Sequence, residues 1–195
     1  MMARTIACCT AVLAAASALL LPGCAPLVVG AAVGGTVMVA TDRRTTGTQV
    51  DDEVIEDKAS YTIRERFKGD FHVNVTSYNG IVLITGEVPA EAARADVAQV
   101  VLSTPKVRAV QNELAVGPVT DLNSRSNDSL ITSKVKTRFV EANKFQINHV
   151  KVVTERGIVY LMGLVRRDEG DAAANIAATT SGVQRVVKVF EYLPG

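Results

Sequence analysis

The chain has 195 residues, 48% of them hydrophobic, with 21 basic and 20 acidic side chains and a formal net charge of +1. Aromatic residues make up only 5% and tryptophan is absent, which leaves little to stack on nucleic-acid bases. Cys8, Cys9 and Cys24 are the three cysteines, so no disulfide framework spans the chain beyond Cys24.

The N-terminal segment closes in Leu21-Pro22-Gly23-Cys24. Arg4 is its only charge, an apolar run from Ala11 to Leu21 follows it, and a small residue stands directly before the cysteine. This is the layout of a secretory signal with a lipoprotein cleavage site. Residues 1–23 are read as the signal peptide and Cys24 as the lipidated first residue of the mature protein. Pro22 departs from the usual pattern, in which a small or β-branched residue is commoner there. An uncleaved anchor helix is the alternative. Cys8 and Cys9 would leave with the signal, and a Cys24 thiol consumed by lipid is neither nucleophile nor metal ligand. Ala25 follows it, rather than the aspartate that retains bacterial lipoproteins in the inner membrane. The expected location is therefore the outer membrane, on its periplasmic face. Residues 24–46 form a tether. Its apolar part runs from Ala25 to Ala40 and is interrupted by Pro26, Gly30, Gly34 and Gly35. A spanning helix needs about 20 apolar residues, so this shorter stretch reads as a tether beside the acyl chains.

From Gly47 onward the sequence is an internal repeat. Asn79-Gly80-Ile81-Val82-Leu83-Ile84-Thr85-Gly86-Glu87-Val88 matches Arg156-Gly157-Ile158-Val159-Tyr160-Leu161-Met162-Gly163-Leu164-Val165 at an offset of 77. Asp52, Ile55 and Lys58 match Asp128, Ile131 and Lys134 at an offset of 76, as Val107, Val110 and Leu114 match Val183, Val186 and Phe190. The expected division is 47–117 for copy one, 118–124 for a linker and 125–195 for copy two.

Each copy reads helix, strand, strand, helix, strand. In copy one a helix begins near Asp51 or Asp52 and carries Ile55, Ala59, Ile63 and Phe67 at helical spacing. Phe71 to Ser77 and Ile81 to Thr85 are strands, joined at Asn79-Gly80, where both residues tolerate positive φ. A second helix runs from Pro89 to about Ser103, and Val107 to Val116 closes the unit as a third strand. In copy two the helices are expected from about Asp128 to Asn143 and from Asp168 to Thr180. This is an α+β fold of two tandem αββαβ units, each a three-stranded mixed sheet with two helices on one face. Ile81 and Leu83 point one way, Val82 and Ile84 the other, so both sheet faces are apolar. Helices cover one face, and the other is expected to pack on the sister copy.

The duplicated unit, with its Gly-Ile-Val-x-x-x-Gly-x-Val pattern, resembles the BON domain, a phospholipid- and membrane-associating module of bacterial envelope proteins. The segments Thr41 to Asp52 and Ser126 to Lys136 resemble the starts of the two domains in dual-BON outer-membrane lipoproteins. The resemblance implies a non-enzymatic lipoprotein that binds anionic phospholipid through one BON domain. It further implies support of outer-membrane integrity, with recruitment to the division site in some members.

Charge distribution points the same way independently. Between Gly47 and Gly117 there are 11 acids and 7 bases, a net of −4; between Ser124 and Gly195 there are 7 acids and 11 bases, a net of +4. Much of the positive excess lies on the first helix of copy two, in Lys134, Lys136, Arg138 and Lys144. Ile131, Val135, Phe139 and Ala142 form the buried stripe of that helix, and Leu130 and Val140 fall outside it. A cation beside an off-core apolar side chain suits an interfacial contact, with charge at phosphate and hydrocarbon dipping in. Leu130, Lys134, Lys136, Arg138, Val140 and Lys144 are therefore the candidate site for anionic phospholipid, such as phosphatidylglycerol or cardiolipin. The blander reading makes the lysines a solvated face and Leu130 a staple closing the helix start. The matching positions of copy one, Val54, Lys58, Ser60 and Thr62, lie amid Asp51, Asp52, Glu53, Glu56 and Asp57, where anionic lipid is repelled. Copy one is expected to contact protein or act as a spacer.

Catalytic readings find little support. His72 and His149 occupy equivalent positions at the mouths of first strands and are expected to be solvated there. No Cys or carboxylate cluster completes a metal set, no Gly-x-Ser-x-Gly elbow is present, and the glycines lack phosphate-loop spacing. Asp51, Asp52 and Glu53 are read as carboxylates that complement a helix dipole. No cofactor is expected. Two function classes remain: a lipid-binding envelope lipoprotein, or an adaptor that binds a periplasmic protein partner.

Overall fold

The computed structural model describes residues 42–69 and 71–194; the expected signal peptide, Cys24 and most of the expected tether lie outside the described residues. Copy one comprises α1 (Thr46–Arg66), β1 (His72–Tyr78), β2 (Ile81–Val88), α2 (Glu91–Leu102), β3 (Ala109–Asn112) and β4 (Ala115–Val116). Copy two comprises α3 (Leu122–Ala142), a 3₁₀ turn (Ile147–His149), β5 (Val150–Glu155), β6 (Ile158–Val165), α4 (Arg167–Ala178) and β7 (Arg185–Tyr192).

The first strand of each copy pairs antiparallel with the second, and the last pairs parallel with the second, so the long central strand carries the sheet. The connections dictate this. A two-residue turn reverses the chain, whereas the crossover through α2 or α4 returns it parallel. Both turns use left-handed backbone, at Asn79 (φ 54°) and Gly80 (72°) and at Arg156 (54°) and Gly157 (71°). That is the primed-turn geometry that matches strand twist. In copy one the last strand is broken after Asn112, where Leu114 turns into the core at 3% exposure. In copy two β7 runs unbroken.

Both first helices begin five or more residues before the hydrophobic periodicity does. Thr45 caps α1, its Oγ1 accepting from the Thr48 N–H at 3.1 Å. Asp121 caps α3, its carboxylate accepting from the Ser124 N–H at 2.7 Å. The extra turns, Thr46 to Val50 and Leu122 to Asn127, are largely solvated, so no apolar stripe announces them. Consequently α3 takes in part of the stretch expected to be linker.

Each copy has its own core. Ile55, Ala59 and Ile63 of α1 pack with Val82 and Ile84 of β2 and with Val97, Val100 and Val101 of α2. Ile131, Val135 and Phe139 of α3 pack likewise with Val159, Leu161, Ala173 and Ala177. The opposite sheet faces meet each other: Tyr78 and Leu83 of copy one form one cluster with Tyr160 and Met162 of copy two, flanked by Val153, Ile158, Leu164, Val187 and Val189. The alternation along β2 and β6 thus splits each strand between its own core and the seam. Ion pairs border the seam, Lys151 with Glu56 at 2.8 Å and Arg108 with Glu191 at 3.0 Å.

The segment before α1 binds both copies. Arg43 donates two hydrogen bonds to the buried Glu169 carboxylate of copy two, at 2.6 and 2.9 Å, and one to the Leu164 carbonyl at 2.8 Å. Arg44 donates to Asp52 of copy one at 2.8 Å and lies 3.9 Å from the centre of the Tyr78 ring.

Candidate functional site

Helix α3 presents three large apolar side chains to solvent: Leu122 at 77% exposure, Leu130 at 61% and Val140 at 61%. They lie opposite the buried stripe of Ile131, Val135 and Phe139, because at 3.6 residues per turn positions 122, 130 and 140 fall on one side. Lys134 and Lys136 flank this face on its two sides, both exposed and neither in an ion pair among the described residues. Between the apolar side chains stand Ser126, Ser133 and Thr137. Their hydroxyls donate back to the carbonyls of Leu122, Ser129 and Ser133, at 2.9, 3.0 and 3.0 Å. The polar atoms on this face are therefore already hydrogen-bonded, which lowers the cost of taking it out of water.

The predicted residues divide. Leu130, Lys134, Lys136 and Val140 belong to the face, and Leu130 is too far along the helix and too exposed to staple its start. Lys144 is exposed just beyond the left-handed Asn143 that ends α3. Arg138 points elsewhere, donating to the Ile176 carbonyl at 3.0 Å and to Thr180 Oγ1 at 2.9 Å, and so ties α3 to α4. Leu122 escaped the sequence reading because it falls within the stretch taken as linker. The hydroxyl residues escaped because Ser and Thr give no periodic signal.

Two other predictions are corrected. Asp52 does not serve the helix dipole; it lies two turns into α1, 3% exposed. Its carboxylate accepts from the Asn79 and Gly80 N–H groups at 2.7 and 2.8 Å and from Ser77 Oγ at 2.6 Å. Asp128 does the same for Arg156 and Gly157, both at 2.8 Å. Burial raises the pKa of Asp52, but the Ser77, Gly80, Asn79 and Arg44 hydrogen bonds outweigh it and hold it below the ordinary carboxylate value. His149 is buried rather than solvated, and His72 is half-buried, its Nε2 3.7 Å from Glu155 of the other copy. Their backbones explain the pairing with glycine. A Cβ on Gly86 or Gly163 would strike the carbonyl oxygen of His72 or His149 respectively. Among the described residues no group of three or more His, Cys, Asp or Glu is arranged to hold a metal ion, and no helix is long and apolar enough to cross a membrane.

Two αββαβ units packed sheet to sheet, with one cation-flanked apolar helix face, define a duplicated α+β module. Residues 51–118 and 127–194 each match the BON domain, and the chain belongs to that family. Among curated proteins it is 40% identical to the outer membrane lipoprotein DolP of Haemophilus influenzae, over 89% of this chain and 90% of that protein. It is 34% identical to a 21 kDa hemolysin of Actinobacillus pleuropneumoniae, over 78% of this chain and 79% of that protein. The osmotically-inducible protein Y of Escherichia coli is more distant, at 26% identity over 58% of each chain.

Proposed function

We propose that this protein is an outer-membrane lipoprotein, anchored through Cys24 on the periplasmic side, that binds anionic phospholipid through α3 and supports membrane integrity without performing chemistry. The observation that carries the reading is the exposed strip of Leu122, Leu130 and Val140 between Lys134 and Lys136. Each cation near an anionic surface adds about 1 kcal/mol, and the apolar side chains enter the boundary between headgroups and acyl chains. Lys144 adds a charge at the end of the helix. Copy two carries the net +4 that such a surface attracts. The relationship to the Haemophilus influenzae lipoprotein supports the location, and the signal-like segment ending at Cys24 supplies the anchor.

Co-sedimentation of the soluble mature part with vesicles tests this. Binding to phosphatidylglycerol or cardiolipin vesicles is expected, with none to neutral phosphatidylcholine. Leu130→Glu or the pair Lys134→Glu and Lys136→Glu is expected to weaken binding by about tenfold or more. Binding indifferent to lipid charge, or untouched by these changes, would count for a protein-binding adaptor instead.

A further inference from the structure

The two copies differ in what fills the groove between their helices. In copy two Arg138 crosses it to the Ile176 carbonyl and Thr180 Oγ1, and Thr180 donates to the same carbonyl at 2.9 Å. The matching residues of copy one are Thr62, Val100 and Thr104. Thr104 donates to the Val100 carbonyl at 3.2 Å, as its counterpart does. Thr62, however, is too short to cross, and its hydroxyl donates back to the Lys58 carbonyl at 2.9 Å. What remains is an open groove of about 610 Å³ between α1 and α2, lined by Tyr61, Thr62, Val100 and Thr104 among others. Further replacements line it, among them Tyr61 where copy two has Thr137 and Asp57 where it has Ser133.

We propose that this groove docks a segment of a partner protein that presents an arginine, whose guanidinium takes the place that Arg138 takes in copy two. The Val100 carbonyl in the last turn of α2 and the Thr104 hydroxyl just beyond it match the Ile176 and Thr180 acceptors that Arg138 uses, at the negative end of a helix dipole. Tyr61, 64% exposed, offers a ring face for a cation, and Asp57 is exposed without an ion-pair partner among the described residues. Copy one carries a net charge of −4. Lys58 and Arg66 also line the groove. The counterpart of Lys58 is Lys134, which shares α3 with Arg138, so a cation at that position is compatible with a guanidinium in the groove. Arg66 replaces Ala142, nine residues along α1 from Asp57. Val50 and Val54, both exposed, lie on the same side of α1 as Tyr61 and extend an apolar strip for the residues flanking the arginine. Arginine and tyrosine are both enriched at the energetic centres of protein interfaces, which suits an incoming arginine beside Tyr61. This site lies on the other copy from the lipid-facing helix and does not depend on it.

The probe is a blocked Leu-Arg-Leu peptide, titrated into the soluble mature protein and followed by amide chemical shifts. Saturable shifts are expected at Tyr61, Val100, Ser103 and Thr104. Thr62→Arg supplies the guanidinium from within, as copy two does. It is expected to keep the thermal midpoint at or above the parent's while lowering peptide affinity by about tenfold. Tyr61→Ala, at an exposed position, is expected to weaken the peptide without unfolding the domain. The proposal is overturned if no saturable shift appears at these amides, or if folded Thr62→Arg and Tyr61→Ala both bind the peptide unchanged. It is equally overturned if a Leu-Glu-Leu peptide or phosphatidylglycerol vesicles shift these amides more strongly, which would assign the groove to anions through Lys58 and Arg66.

Discussion

At the scale of single residues, one carboxylate per copy ties the first helix to the central hairpin. Replacing Asp52 or Asp128 with Ala leaves two turn N–H groups without their acceptor, at about 1–3 kcal/mol each, which a urea unfolding midpoint measures directly. Asp52 also sets a pH dependence. Because its folded pKa is depressed, its contribution is fully present above the unfolded value of about 4 and is lost as pH falls through the folded one. The stability gap between the parent and Asp52→Asn is therefore expected to narrow on acidification. Glu155 has the opposite sign. Burial raises its pKa, against the Asn74 hydrogen bond at 2.9 Å, so the fold binds its proton more readily than the unfolded chain and gains from acidification through that window. Glu155→Gln keeps an oxygen acceptor for Asn74 and is expected to raise the thermal midpoint at pH 7, an advantage that fades toward pH 4. The Asn-Gly turn was legible because its residue types announce their backbone. The role of Asp52 was not, because a carboxylate that reaches as far along the chain as Asn79 looks in sequence like any helix-start acid.

At the scale of elements, α3 has one face packed on its own copy and an opposite face for which we propose lipid contact, and substitution can separate them. Arg138→Ala removes the tie to α4 and is expected to lower the unfolding midpoint of copy two while vesicle binding by the folded protein stays at the parent level. Leu130→Glu is expected to do the reverse, since an exposed side chain contributes little to folding. A differential scan and a co-sedimentation series on the same two variants would display the crossing pattern. Helical periodicity found the buried stripe, and the outward Leu130 and Val140 followed by subtraction. It could not distinguish Arg138 from its neighbours, because a basic side chain reads alike whether it meets water or a carbonyl on another helix. Where periodicity was missing, in the opening turns of α1 and α3, the caps Thr45 and Asp121 set the boundary instead.

At the scale of the molecule, the two-sided apolar character of β2 and β6 foretold that the copies pack on each other, and the cluster of Tyr78, Leu83, Tyr160 and Met162 is that contact. Met162→Asp places a carboxylate in the seam, where it has no partner built for it. The copies are expected to separate with their helices and strands retained, seen as a larger radius of gyration at unchanged far-ultraviolet circular dichroism.

The paired grip of Arg43 and Arg44 has a mechanical corollary. With the protein suspended by its N-terminus, as we propose, tension along the chain before α1 reaches the folded body at these two side chains. One holds each copy, so the pull is shared across the seam instead of peeling α1 away from its sheet. Removing Arg43 alone would shift the whole load onto copy one, and single-molecule stretching from the N-terminus should then register rupture at lower force.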